Sequence, residues 1–238
     1  MHVEQVSEGF SLQNVVPFFQ PIIDVKDSSV WRYEALARML TVDQQSFTPS
    51  EFLYLVEKQQ CHGALTEHIF HLSALYFRQH QLAWNINIAE PDILDSHTIA
   101  FLQRYLQENQ CAHLVALELS TETAEKHEKA FRTFLLLCKT LGLTLVLDHF
   151  NGSLKLLDRL LELPVDGIKL PARQLQQYGK RGADKNKFQK IQDKANANEI
   201  ALIAEHVESE ELMAITKGFA IPFAQGFYIS HPTAMIAS

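Results

Sequence analysis

The amino-acid sequence predicts an α/β fold, a (β/α)8 barrel closed within one domain, residues 1–238, with its core over about 16–232. Three observations carry that expectation. The chain has 238 residues, near the size of one barrel, and 47% of them are hydrophobic, enough for a sizeable core. Eight short apolar, β-rich runs recur along it. The gaps between the later runs carry helical periodicity, and strand-helix alternation argues for parallel strands with crossover helices.

The runs come in order. VPFFQPIIDV (16–25) and VWRYEALARM (30–39) are joined by the short polar link KDSS, so they are expected to pair as a hairpin. The barrel is therefore of a modified TIM type, with an antiparallel first strand. LAWNINI (82–88), HLVALELS (113–120) and LTLVLDHF (143–150) follow. VDGIKL (165–170), IALIAEHV (200–207) and FAIPFAQGFYI (219–229) complete the set. Between them, Leu65, Ile69, Leu72, Leu75 and Tyr76 form one apolar stripe. Ala130, Phe131, Phe134, Leu135 and Cys138 form a second, and Leu154, Leu157, Leu160 and Leu161 a third. The polar stretch 171–198 holds Arg173, Lys180, Arg181, Lys185, Lys187, Lys190 and Lys194. It reads as a solvated helix and loop with a basic face rather than a docking patch.

Charge and cysteine usage exclude some classes. The formal net charge is -7, which opposes broad DNA binding, because that rests on phosphate neutralisation by Lys and Arg. Cys61, Cys111 and Cys138 are odd in number, far apart and in no CxxC pair, as expected of reduced thiols in a cytoplasmic protein. No apolar run is long enough to span a bilayer. The N-terminal segment carries Glu4 and Glu8 and lacks the basic-then-apolar order of a secretion signal.

Polar residues recur at the strands. Glu34 and Arg38 lie on the second run, Asn85 on the third, Glu118 on the fourth and Asp148 on the fifth. Lys169, Glu205 and Gln225 lie on the sixth, seventh and eighth. Each sits in or just after an apolar run, where a charge is costly unless paired or metal-bound. Singly, each has an ordinary explanation: a strand-edge charge, a helix cap, a bonded turn. Jointly they converge, because the carboxyl ends of barrel strands meet on one face. Oxygens from Glu34, Asn85, Glu118 and Asp148 would suit a hard divalent cation such as Mg2+ or Mn2+, whereas zinc would want more His or Cys.

These residues also carry a family resemblance. Glu34-Ala35-Leu36, with Arg38, resembles the EALxR signature of EAL domains, the bacterial cyclic-di-GMP phosphodiesterases. Phe19-Gln20-Pro21-Ile22 is similar to that family's YQPI strand and Trp84-Asn85-Ile86-Asn87 to its VNxS strand. Leu117-Glu118-Leu119 is similar to the start of LELTES, and 163–169, LPVDGIK, to LPVDxLK. Ala204-Glu205-His206-Val207-Glu208 stands for AEGVE and Gln225-Gly226-Phe227 for QGY. The resemblance runs from about Pro17 to Pro232, nearly the whole chain. It implies that Glu34, Asn85, Glu118 and Asp148 hold a divalent metal. Lys169 and Glu205 would position or activate the attacking water, with Gln225 supporting that network. Gln20 and Arg38 would contact cyclic-di-GMP, which hydrolysis of one phosphodiester would open to linear pGpG.

The sequence departs from the family in one region. The DDFGTG loop reads Asp148-His149-Phe150-Asn151-Gly152-Ser153, so His149 stands where the second metal has an Asp ligand. His149 divides between a metal ligand and a loop histidine bonded to backbone; neutral imidazole supplies no negative charge, so a second Mg2+ or Mn2+ site is weakened. The Glu that braces this loop aligns with Thr121, Glu122 coming one residue late; the usual IKID ends in Leu170-Pro171; and His206 replaces a Gly. Two cyclic-di-GMP readings follow: hydrolysis that is slow or lost, or binding without cutting. The resemblance also leaves room for a nucleotide-independent module with a protein partner, and for a homodimer formed near the altered loop.

Overall fold

The computed structural model describes residue 6 and residues 10–43, 45–151, 153–180 and 182–234. Glu4, Glu8, Gly152 and Arg181 lie outside the described residues. The expected barrel forms. The strands are β1 (Val15–Asp24), β2 (Val30–Leu40), β3 (Ser46–Phe47), β4 (Trp84–Ile88), β5 (Val115–Ser120), β6 (Thr144–Asp148), β7 (Gly167–Pro171), β8 (Ala201–Glu205) and β9 (Phe223–Ala224). They make one sheet in the order β1-β9-β8-β7-β6-β5-β4-β2-β3, and pairing of β1 with β2 closes it. The two-residue β3, which no apolar run announces, only extends the edge of β2. The expected hairpin is present: β1 runs antiparallel to β2 and to β9, while β2 and β4 to β9 pair in parallel.

Helices cover the outside. They are α1 (Pro49–Lys58), α2 (His62–His80), α3 (Glu90–Leu94), α4 (Ser96–Asn109), α5 (Thr121–Lys126), α6 (Glu128–Leu141), α7 (Leu154–Leu160), α8 (Ala172–Lys180), α9 (Gly182–Ala197) and α10 (Glu210–Gly218). On α6 the predicted stripe is the buried one: Phe131, Phe134, Leu135 and Cys138 face the sheet. On α7, Leu157 and Leu160 do the same. The α2 stripe is rotated from expectation. Leu65, Ile69, Phe70, Ala74 and Phe77 are buried, while Leu75 faces solvent. Aromatic packing decides this, since Phe70 packs tilted and Phe77 stacked against Trp84 of β4, with centroids 5.3 and 5.5 Å apart.

The basic stretch is helical throughout α8 and α9. Leu175, Phe188 and Ile191 anchor it, and Lys185, Lys187 and Lys190 point outward. Arg173 pairs with Glu208 and Lys194 with Asp158, at 2.8 and 2.9 Å. All three cysteines are free, and burial pushes the Cys138 thiol up to about 12, so it behaves as a core hydrophobe. Among the described residues no helix is long and apolar enough to cross a membrane.

Inside the barrel, Ile22, Ala116, Val146 and Ile203 form a separate small apolar layer, against which Trp31 and Phe223 pack. That layer positions the site. Side chains on a strand repeat every two residues, so Glu118, Asp148 and Glu205 follow Ala116, Val146 and Ile203 onto the same inner face, one step nearer the carboxyl ends. Lys169 follows Gly167 in the same way, and Gln20, on the antiparallel β1, precedes Ile22.

The last run shrinks from the expected 219–229 to two paired residues. After Ala224 the chain wraps the backbone of β8's exit: Val207 N donates to Gln225 O and Tyr228 N to Val207 O, both at 3.0 Å. The wrap needs a glycine, because a Cβ on Gly226 would overlap the backbone N, C and O of Val207. Gly226→Ala is therefore expected to cost about 2 kcal/mol or more, a backbone effect of the kind that dominates large single-site losses. Thermal unfolding monitored by circular dichroism checks this; an unchanged melting temperature would mean that the turn relaxes freely.

Candidate functional site

The mouth of the barrel opens into a cavity of about 650 Å3, within the usual range of small-molecule sites. Glu34, Asn85, Glu118, Asp148, Lys169, Glu205, Gln225 and Gln20 are all buried, although they come from eight different strands or strand exits. The structure brings them together around one side chain. Lys169 Nζ donates to Glu34 Oε2 at 2.8 Å and to Glu118 Oε2 at 2.7 Å, and lies 4.0 Å from Asp148 Oδ2.

Amides complete the ring. Gln225 Nε2 donates to Glu34 Oε2 at 2.6 Å and to Gln20 Oε1 at 3.0 Å, while Gln20 Nε2 donates to Ser230 O at 2.8 Å. Asn87 Nδ2 donates to Glu34 Oε1, and Asn85 Nδ2 to Glu118 Oε1, each at 2.7 Å. Asn85 Oδ1 accepts from Arg32 Nε at 2.7 Å. Arg32 and Asn87 were not singled out from the sequence. The signal for both was the two-residue period, since Arg32 precedes Glu34 and Asn87 follows Asn85 by two, on the same face.

Glu34 and Glu118 share one ammonium. Burial works against ionising Glu34, but the charge of Lys169 and hydrogen bonds from Gln225 and Asn87 outweigh it and hold the carboxyl down at about 2. Glu118 moves the other way: burial, and then the negative charge of Glu34, push it well above the usual carboxylate range. Burial opposes the charge on Lys169, yet Asp148, Glu118, Glu34 and Glu205 together raise its pKa well above the ordinary lysine value. Glu205 is pushed up to about 8 by burial and by the charge of Asp148. Its Oε1 is buried without a hydrogen-bond partner. A buried orphan oxygen is costly, and its persistence at a pocket wall suits a group reserved for a ligand or for water.

Glu34, Glu118 and Asp148 each offer an oxygen to a common point, with those atoms within 4.8 Å of one another. An all-carboxylate set of this kind fits a hard divalent cation. His149 stands outside that group. Its side chain is 68% exposed, with Nδ1 3.4 Å from Asp148 Oδ2, and its backbone holds φ 54°, a left-handed conformation uncommon for a residue with a side chain. His206 repeats the pattern after β8, at φ 54° with Nδ1 3.6 Å from Glu205 Oε2. Thr121 Oγ1 donates to His149 O at 3.2 Å and so braces the loop, while Glu122 points to solvent from α5. Arg38 is half-buried on the pocket wall and donates to Ala37 O at 2.7 Å.

Comparison with known proteins gives the family and the fold. The family model described as EAL domain matches residues 3–232. The cyclic di-GMP phosphodiesterase PdeB of Shewanella oneidensis is 22% identical over 96% of this chain, which spans 28% of that relative's length. The cyclic di-GMP phosphodiesterase RocR of Pseudomonas aeruginosa is 26% identical over 97% of this chain, which spans 60% of RocR. Among solved structures, the FimX EAL domain from Pseudomonas aeruginosa bound to c-di-GMP superposes with a TM-score of 0.83 at 19% identity, covering 98% of this chain and 97% of that one.

Proposed function

This chain belongs to the EAL domain family, and from that premise we propose that its barrel mouth binds cyclic-di-GMP and, with Mg2+ or Mn2+, opens it slowly to pGpG. The observation that carries the proposal is the buried meeting of Glu34, Glu118 and Asp148 around Lys169. Those three carboxylates would hold the cation. When bound, a divalent cation lowers the pKa of water and neutralises charge on a phosphodiester.

The chain's own groups divide the remaining work. Arg38, which lines the pocket wall further along β2 than Glu34, is suited to pair a phosphate oxygen through its guanidinium fork. Lys169 fixes the directions of Glu34 and Glu118. Gln225 donates to the same Glu34 oxygen as Lys169 and also to Gln20, so Gln20 acts on the nucleotide through this amide chain and the pocket wall it forms. A carboxyl with a pKa of about 8 is mostly protonated at neutral pH. Glu205 Oε1 accepts a proton from water once that proton has left, a loss that a nearby positive charge favours.

A second reading, a receptor that binds without cutting, is favoured by His149. Neutral imidazole stands where a further carboxylate would neutralise charge during phosphoryl transfer. One experiment separates the readings. Purified protein is incubated with cyclic-di-GMP and Mg2+ or Mn2+, and pGpG is followed by chromatography beside calorimetric binding. Metal-dependent pGpG above a Glu34→Ala control supports hydrolysis. Saturable binding without product leaves the receptor reading. Neither binding nor product removes both.

A further inference from the structure

We propose that Arg32 turns the oxygen of Asn85 away from the barrel mouth, so that a divalent cation here is held by Glu34, Glu118 and Asp148 without an amide ligand. The inference rests on the reading above that the carboxylate cluster takes a cation. It departs from the expectation drawn from the sequence in taking Asn85 out of the ligand set.

Arg32 is a buried cation, 6% exposed, one layer beneath Glu34 on the inner face of β2. Its Nε donates to Asn85 Oδ1 at 2.7 Å, and one of its terminal nitrogens donates to Leu114 O at 2.9 Å and Trp84 O at 3.3 Å. A guanidinium has donors only, so the amide atom facing it must be the oxygen. The other side of the amide agrees. Nδ2 donates to Glu118 Oε1 at 2.7 Å, while the other oxygen of Glu118 accepts from Lys169.

Two neighbours of opposite character therefore fix the same orientation. Flipping the amide would set an NH2 against a guanidinium and an oxygen against a carboxylate. Both hydrogen bonds would be lost at a residue with no exposure, where water cannot replace them. The atom Asn85 presents toward the carboxylate cluster is a nitrogen bearing hydrogens, which is no metal ligand. Its role is to position Glu118 through a chain running Arg32, Asn85, Glu118, Lys169.

The test is a Mn2+ titration, read by calorimetry and by the loss of the free-ion paramagnetic resonance signal. The unsubstituted protein, Asn85→Ala, Arg32→Met and Arg32→Met/Asn85→Ala are compared. Asn85→Ala is expected to weaken Mn2+ in the otherwise intact protein only through the loosening of Glu118, and by less than it does in the Arg32→Met background. Arg32→Met frees the amide to turn and removes a positive charge, tightening Mn2+ by about tenfold or more, the scale of outer-shell effects on metal affinity. The share due to the amide is lost again in the double variant, whereas the share due to charge survives.

If Asn85→Ala weakens Mn2+ equally in both backgrounds, Asn85 is already a ligand and the inference falls while the cation reading stands. If no form of the protein binds Mn2+, the cation reading fails and takes the inference with it. Arg32→Met takes a donor from the carbonyls of Trp84 and Leu114, so a structure of the unsubstituted protein soaked in Mn2+ gives an independent answer. Asn85 Oδ1 still on Arg32 supports the proposal; Oδ1 within coordination distance of the ion overturns it.

Discussion

Lys169→Met is expected to lower stability by about 3–5 kcal/mol, the usual loss when one partner of a buried ion pair is removed. In a domain of this size that corresponds to a fall in melting temperature on the order of 10 °C. The residue is 1% exposed and lies among four acidic side chains. Methionine keeps much of the volume and the apolar stem, so the loss reports charge rather than a cavity. Glu34 and Glu118 would then face each other with no cation between them. Two further readouts separate this from a packing defect. Millimolar Mn2+ should raise the melting temperature of Lys169→Met more than that of the unsubstituted protein, because a ligand that binds the folded state alone stabilises it in proportion to its affinity. The gap between the two proteins should also narrow in acid. The folded pKa of Glu34 is depressed to about 2 from an ordinary 4.5, so its contribution is present above 4.5 and fades as pH falls toward 2. A variant that gains nothing from Mn2+ and keeps a constant gap down to pH 3 would mean that the carboxylates are not held together by this ammonium.

The legibility of the fold and the site in the sequence follows from that cluster. Strand identities could be read because each inner-face residue sits in a run apolar enough to be buried, and a two-residue period carries the face. Eight such runs became the eight strands of the closed ring. Boundaries suffered where backbone geometry, not hydrophobicity, decides. FAIPFAQGFYI is apolar throughout, yet only Phe223–Ala224 pair as strand, because the chain then turns at Gly226 around Val207. Leu75 failed as a core residue for a different reason. Phe70 and Phe77 claim the inward side of α2, and hydrophobicity alone does not order leucine below phenylalanine. The expected polar residues other than Asn85 line one pocket, and Asn85 meets it only through Glu118, but the sequence could not reveal which way an amide points. Asn85 reads as a potential oxygen donor on any inner face. Only contact with Arg32, 53 residues away in the chain, decides which of its two atoms looks toward Glu118.

His149→Asp is expected to raise metal-dependent production of pGpG by tenfold or more, since about 1.4 kcal/mol of added transition-state stabilisation is already a factor of ten. The position is prepared for the change. His149 is mostly exposed, so a new carboxylate carries little desolvation cost. Its backbone is left-handed, a conformation that Asp tolerates better than most residues with a side chain. The imidazole Nδ1 is already 3.4 Å from Asp148 Oδ2, so the new oxygen would lie beside an existing carboxylate. Without metal, that adjacency should lower the melting temperature slightly through like-charge repulsion, and Mn2+ should reverse the loss. The gain belongs in kcat more than in KM, because added negative charge does nothing for an anionic substrate in its ground state. His149→Ala separates the two roles open to the histidine. If imidazole ligates, removing it lowers the residual rate, and Co2+ or Ni2+ supports the unsubstituted protein better than Mg2+. If it is only a loop residue, His149→Ala leaves the rate alone and His149→Asp alone raises it. An Asp variant no faster than the parent, with Mn2+ bound, would place the obstacle to turnover elsewhere than at this position. Because His206 shares the conformation of His149 and crowds Glu205, His206→Gly would then be the next substitution to measure.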